Sequence, residues 1–188
     1  MSASTRMDPG LAELDRPYHP VSRLFHWAVV ALLAMQVTIA LVLPSILPKA
    51  DEDRLTAWHL SVGSAILLVM LLRLAWRLSH PPPAPPADLP PSLRLLSRAT
   101  HWAFYAILVV LPVLGWTAAS AFGATVRLFG LIPLPALVAP NKPFAEAVGD
   151  VHATVAFVLL ALIALHVAGA LYHAVIKRDG VVRRMLPR

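Results

Sequence analysis

Four long hydrophobic stretches dominate the chain, at about residues 24–46, 58–78, 100–121 and 151–175. Each is apolar on all sides, and its few charged residues lie near the ends. A helix of about 20 apolar residues can cross a bilayer, and a helix that is apolar all round is typical of a membrane span. The pattern therefore predicts an all-α integral membrane protein, a bundle of four transmembrane helices that alternate in direction.

The segments between the predicted spans contain polar or helix-breaking residues. Residues 1–22 form a polar N-terminal tail, and the proline-rich residues 79–91 form a stiff connector. Residues 122–150 are apolar, but glycines and prolines interrupt them, so we expect them to pack on the end of the bundle or lie in the interface. Asp150 is expected to cap the last helix. Residues 23–176 are thus predicted to form one transmembrane domain.

Composition and charge support a membrane location and suggest an orientation. The chain of 188 residues is 58% hydrophobic and 14% charged, against roughly 45–50% and 25% in soluble domains. Twelve of the 16 Lys and Arg residues lie in the N-terminal tail, around the connector between spans two and three, and in the basic tail 177–188. The positive-inside rule then predicts that both termini are cytoplasmic. Because these residues flank apolar runs and form no stripe, we expect contact with membrane lipid and no nucleic-acid binding.

Histidine is the residue type that a simple membrane bundle does not explain. Neutral imidazole is a good metal ligand, and the core of a helical bundle is a natural cofactor site. An ionisable side chain within a span is costly and usually functional. Six of the eight histidines lie in or at the predicted spans, namely His26, His59, His101, His152, His166 and His173.

The spacing of these histidines predicts two ligand pairs. His152 and His166 are 14 residues apart, which puts them on one face of a helix and about 21 Å apart along its axis. His59 opens span two at the level of His152, and His26 opens span one near the level of His166. The pairs His59/His152 and His26/His166 would then sandwich two haems, one near each membrane face. Because the chain has no cysteine, these haems would be non-covalent and b-type.

Other assignments stay open on geometry alone. His101 or His173 is an alternative ligand near the cytoplasmic face, because His26 lies shallow and His166 lies deep. His101 otherwise contacts a haem propionate or the membrane interface. Arg73 follows the histidine of span two by 14 residues, so a propionate could partner its charge, as could lipid headgroups. Zinc is disfavoured because it takes three or four clustered ligands.

At these residues the chain resembles the bacterial four-helix cytochrome b561 family, including its superoxide oxidases. The resemblance covers about residues 18–188 and rests on SRLFHW, WHLSVG, LLRLAWR, HWAFYAILVVLPVLGW, VHATVAFVLLALIALHVAGALYH and KRDGVVRRMLPR. It implies a multi-pass protein of the bacterial inner membrane that binds two b haems through spans one, two and four. That supports His26 and His166 as ligands of the inner haem, and His59 and His152 as ligands of the outer haem.

The resemblance also implies a reaction. Superoxide oxidases pass electrons from periplasmic superoxide to ubiquinone, with the histidine that matches His173 beside the quinone and the arginine that matches Arg73 near the inner haem. This predicts a superoxide:ubiquinone oxidoreductase with ubiquinone as a substrate, and no individual catalytic residue is assigned.

Two other functions remain open. The predicted outer segments contain four basic and five acidic residues, and such a balance does not attract an anion. The main alternative is a cytochrome b subunit that passes electrons between quinone and a partner dehydrogenase, hydrogenase or periplasmic cytochrome. A structural or assembly protein without a redox role would be colourless when purified.

Overall fold

The computed structural model describes residues 17–84 and 89–186, and most of these are helical. Four helices are long and apolar enough to cross a membrane, which confirms the predicted fold class. These helices are α1 Pro20–Ile46, α2 Glu52–Ser79, α3 Pro91–Ala121 and α4 Lys142–Lys177.

The helices begin earlier than the hydrophobic runs predict, because their first turns are polar. α3 begins at Pro91 and α4 at Lys142, about two turns before the predicted spans. The expectation that Asp150 caps the last helix is wrong, since Asp150 lies inside α4. The cap is Asn141, whose side chain accepts a hydrogen bond from the Phe144 N–H (3.1 Å). The histidines expected in first turns therefore lie further inside their helices.

Two helices contain wide π-helical turns. In α1 the turn spans Thr38–Val42 and precedes Pro44, whose ring nitrogen cannot donate a backbone hydrogen bond. In α4 the turn spans Tyr172–Lys177 and stops at Arg178, which has a left-handed conformation (φ 52°). The second turn reverses the chain, so that residues 178–186 run back towards the bundle.

The tail end of the bundle, where residues 178–186 lie, is closed by contacts with the start of α1. Trp27 Nε1 donates a hydrogen bond to the Met185 carbonyl (2.9 Å). Arg23 Nη1 donates to the Leu186 carbonyl (3.0 Å). These bonds fix the end of the described chain against its beginning.

The opposite end, called the hairpin end here, is covered by residues 122–141. Strands β1 (Arg127–Leu128) and β2 (Ile132–Pro133) pair antiparallel and form a short hairpin. Trp116 Nε1, on α3, donates a hydrogen bond to the Pro135 carbonyl (3.1 Å). This segment packs on the end of α3 and forms no further span.

A small apolar core lies midway between the two ends. It consists of Val29, Ile39, Val62, Ile66, Met70, Leu108, Leu111 and Leu159. Met70 is 1% exposed, whereas Leu72 on the same helix is 51% exposed and Phe157 on α4 is 65% exposed. The apolar exterior suits contact with lipid tails, and close van der Waals packing holds the interior together.

Replacing Met70 with alanine should lower the free energy of unfolding by about 2 kcal/mol, because the side chain leaves an enclosed cavity. Leu72→Ala on the same helix removes a lipid-facing side chain and should have little effect. Thermal unfolding in detergent measures both variants. An equal loss in the two would contradict an enclosed core at Met70.

Candidate cofactor sites

A first pair of imidazoles lies near the hairpin end, between His59 of α2 and His152 of α4. Their ring centroids are 6.0 Å apart and their planes are inclined by 75°. Two imidazoles that bind one metal ion from opposite sides, each with a nitrogen about 2 Å from it, have centroids about 6 Å apart. The pair therefore has the spacing of two axial ligands.

Helix α3 holds the His152 ring from the side. His152 Nδ1 lies 3.0 Å from the Leu111 carbonyl oxygen, which can only accept, so Nδ1 carries the proton and donates. Gly115 leaves room for the ring, since a Cβ atom there would lie 3.0 Å from His152 Cε1. The proton on Nδ1 leaves Nε2 as the ligand atom.

Gln36 of α1 is the polar partner of His59. Its Nε2 lies 3.0 Å from His59 Nδ1 and donates to the His59 carbonyl (3.1 Å). Its Oε1 is buried and has no hydrogen-bond partner within the described ranges. A buried polar atom without a partner marks a place where a further polar group is accommodated.

A second pair lies near the tail end, between His26 of α1 and His166 of α4. Their ring centroids are 6.3 Å apart and their planes are inclined by 61°. His101 of α3 also contacts His166, with centroids 5.7 Å apart, and its Nδ1 donates to the Ser97 carbonyl (2.6 Å). The structure thus brings three predicted histidines together, and both spacings, 6.3 Å for His26/His166 and 5.7 Å for His101/His166, differ by 0.3 Å from that of the first pair.

Arg73 is the cation beside the second pair. It interacts electrostatically with His26 and His166, and its guanidinium carbon lies 5.5 Å from the Tyr105 ring centroid. A guanidinium in a bundle interior prefers an anionic partner. A carboxylate of a bound cofactor would supply that partner.

These donors fit two haems. The four paired side chains are all imidazoles, the two pairs are about 21 Å apart along α4, and the chain contains no cysteine. The described residues contain no group of three or more His, Cys, Asp or Glu side chains that could hold a metal. That arrangement disfavours zinc and favours cofactors that need two protein ligands each.

His173 lies beyond the second pair, in the last turn of α4. Its Nδ1 donates to Asp179 Oδ2 (2.6 Å), and Asp179 also accepts from the Val181 N–H (3.2 Å). Burial acts to raise the pKa of Asp179, but the hydrogen bonds from His173 and Val181 outweigh it, so this pKa lies below its usual value. The pair ties residues 178–186 to the end of α4.

Several functional candidates were not predicted from the sequence. Gln36 was visible as an amide inside an apolar run, which is a signal for a functional residue. Gly115 and Tyr105 gave no such signal, because their roles depend on contacts with residues distant in the chain. Asp179 gave none because its contact with His173 depends on the reversal of the chain after α4.

The chain is similar to known proteins over most of its length. The family described as prokaryotic cytochrome b561 matches residues 17–188. "Cytochrome b561 homolog 2" of Escherichia coli (strain K12) is 29% identical over 175 residues, 90% of each chain. "Probable superoxide oxidase CybB" of Yersinia pestis is 28% identical, over 87% of this chain and 92% of its own. "Cytochrome b561 homolog 1" of Escherichia coli (strain K12) is 30% identical, over 87% of this chain and 93% of its own.

Replacing Asp179 with asparagine should lower the Tm at neutral pH. Because the folded-state pKa is lowered, the ionised carboxylate stabilises the fold above the unfolded value of about 4. This stabilisation is lost as the pH falls through the folded pKa. The Tm difference between wild type and variant should therefore be present at pH 7 and shrink below about pH 4.

Thermal unfolding in detergent at both pH values measures this difference. Asp53→Asn is the matched control, because the Asp53 carboxylate has no ion pair among the described residues. A Tm difference for Asp179→Asn that is equal at the two pH values would contradict an ionised, stabilising Asp179.

Proposed function

Because the chain belongs to the prokaryotic cytochrome b561 family, we propose that its paired histidines bind two b haems and that it oxidises superoxide and reduces ubiquinone. As a family member it is a multi-pass protein of the bacterial inner membrane that transfers electrons through b-type haem. The observation that carries the haem sites is the two imidazole pairs, with centroids 6.0 and 6.3 Å apart, near opposite ends of one bundle. The relative named as a probable superoxide oxidase supports the proposed reaction.

The chain's own residues have separate roles in this proposal. His59 and His152 hold the haem at the hairpin end, and His26 and His166 hold the haem at the tail end. Held between two imidazoles in this way, a b haem would supply one-electron chemistry. Arg73 supplies a cation for haem propionates or quinone at the tail end.

The proposed overall reaction balances in electrons and protons. Two superoxide anions each lose one electron and leave as O2, and one ubiquinone gains two electrons and two protons to become ubiquinol. The excess of basic residues at the tail end supports a cytoplasmic location for that end. The hairpin end would then face the periplasm, and quinone would react near Arg73 and His173.

A second function, as an electron-transfer subunit, is favoured by the charges of the hairpin end. Two of its basic residues are neutralised locally, since Arg54 pairs with Asp51 (2.8 Å) and Lys142 with Glu146 (3.9 Å). The other charged residues of this end are Glu52, Asp53 and Asp150 against Lys49 and Arg127, so its net charge is −1. A net acidic surface attracts a basic protein donor better than it attracts superoxide.

Superoxide should reduce the haems of the purified, oxidised protein, and a soluble quinone should reoxidise them. Stopped-flow absorbance at the haem bands measures both steps, with superoxide dismutase added in the control. Haems that stay oxidised after mixing with superoxide would contradict the oxidase function. Fast reduction by a co-purifying redox protein would then support the second function.

Removal of one paired histidine should remove one of two haems. His152→Ala and His26→Ala should each reduce the haem-to-protein ratio from about two to about one, because a single axial imidazole holds haem weakly. Pyridine haemochrome assay of the purified variants measures the ratio. His80→Ala, outside the bundle core, is the control and should keep both haems.

The same assay tests the alternative ligand at the tail end. His101→Ala should keep both haems if His26 and His166 are the ligands. Loss of one haem in His101→Ala, with both haems kept in His26→Ala, would make His101 the ligand instead.

A further inference from the structure

We propose that the Leu111 carbonyl and Gly115 form a notch in α3 that positions His152 and gives the hairpin-end haem the lower reduction potential of the two. This inference rests on the proposed function, because it takes His152 to be a haem ligand. Helix α3 supplies no haem ligand in that proposal. The notch would make its residues part of the surroundings that set the reduction potential.

The first side of the notch is steric. A Cβ atom on Gly115 would lie 3.0 Å from His152 Cε1 and 3.2 Å from His152 Nδ1. Carbon atoms at optimal contact are about 3.5–4.0 Å apart. A side chain at position 115 would therefore push the imidazole a few tenths of an ångström away from α3.

The second side of the notch is a hydrogen bond. His152 Nδ1 donates to the Leu111 carbonyl (3.0 Å), one residue before Pro112, which lies inside α3 and lacks a backbone N–H. A ligating histidine whose other nitrogen donates to a carbonyl has a fixed tautomer and a fixed ring orientation, and it is a stronger electron donor. Stronger donation favours the oxidised metal and lowers the reduction potential.

The tail-end site has the opposite environment. Within the described residues neither His26 nor His166 has a hydrogen-bonded partner, and both interact with the positive charge of Arg73. The polar partners of His59 and His152 are neutral groups, the Gln36 amide and the Leu111 carbonyl. A nearby positive charge stabilises an added electron, so the tail-end haem has the higher potential.

This difference gives electron transfer a direction. An electron that enters at the hairpin end moves towards the site that stabilises it better, at the tail end. The proposed reaction requires the same direction.

Gly115→Ala tests the notch in the purified holoprotein. The added methyl group pushes the ring away from the Leu111 carbonyl and weakens the hydrogen bond, so the lower potential should rise. We expect at least a tenfold change in the reduction equilibrium, which is about 59 mV for one electron. Spectroelectrochemical titration resolves the two haems, and electron paramagnetic resonance reports the altered axial ligation of one of them.

Gly149→Ala is the matched control, because it lies one turn before His152 on α4 and its Cβ would meet nothing within 4 Å. It should leave both potentials and both spectra unchanged. A Gly115→Ala variant that shifts the higher potential, or neither potential, would overturn the proposal.

Arg73→Gln keeps the assignment testable if Gly115→Ala loses its haem. Loss of the positive charge should lower the higher potential alone, and Arg77→Gln, one turn further along α2, is its control. A shift of the lower potential in Arg73→Gln would overturn the assignment of potentials to the two ends. The ligand assignment fails separately, if His152→Ala keeps both haems.

Discussion

The pairing of imidazoles between α4 and two other helices is the constraint on which the arrangement of the bundle depends. Polar rings inside an apolar bundle need partners. Helix α4 supplies one ring at each of two levels, His152 near the hairpin end and His166 near the tail end. Because these two share a face of α4, the helices that carry His59 and His26 must lie on that side of α4, whose close backbone packing is against α3. Helix α3 completes both levels, since Gly115 lies against His152 and His101 lies against His166.

The two levels differ in how the chain surrounds them, although their ligand spacing is nearly equal. Neutral groups, an amide and a carbonyl, surround the pair at the hairpin end. A formal positive charge acts on the pair at the tail end. Equal ligands in unequal surroundings are a means by which one protein holds two cofactors of the same type at different potentials.

The features that the sequence predicts are those that depend on local spacing. The lengths of the apolar runs predict four spans, and the 14-residue interval between His152 and His166 predicts two levels of ligands on one face. The apolar runs do not include the polar first turns of α3 and α4, so the sequence places the starts of these helices too late. For the same reason the cap of α4 is Asn141 and not Asp150. The sequence does not predict the contact of Gly115 with His152 or the hydrogen bond between His173 and Asp179. Each joins residues that only the folded chain brings together.

The helical bundle alone supplies the paired histidines, whereas recognition of an electron donor depends on the charge of the surface that the donor meets. The relatives at 28–30% identity include one named as a probable superoxide oxidase and two named as cytochrome b561 homologs, and all three match most of this chain. The two proposed functions therefore use the same paired histidines and the same helices. They differ at the hairpin end, where five acidic residues outnumber four basic residues, a balance that does not attract an anion. The charge of that surface, and not the geometry of the paired histidines, is the physical property on which the two proposed functions make different demands.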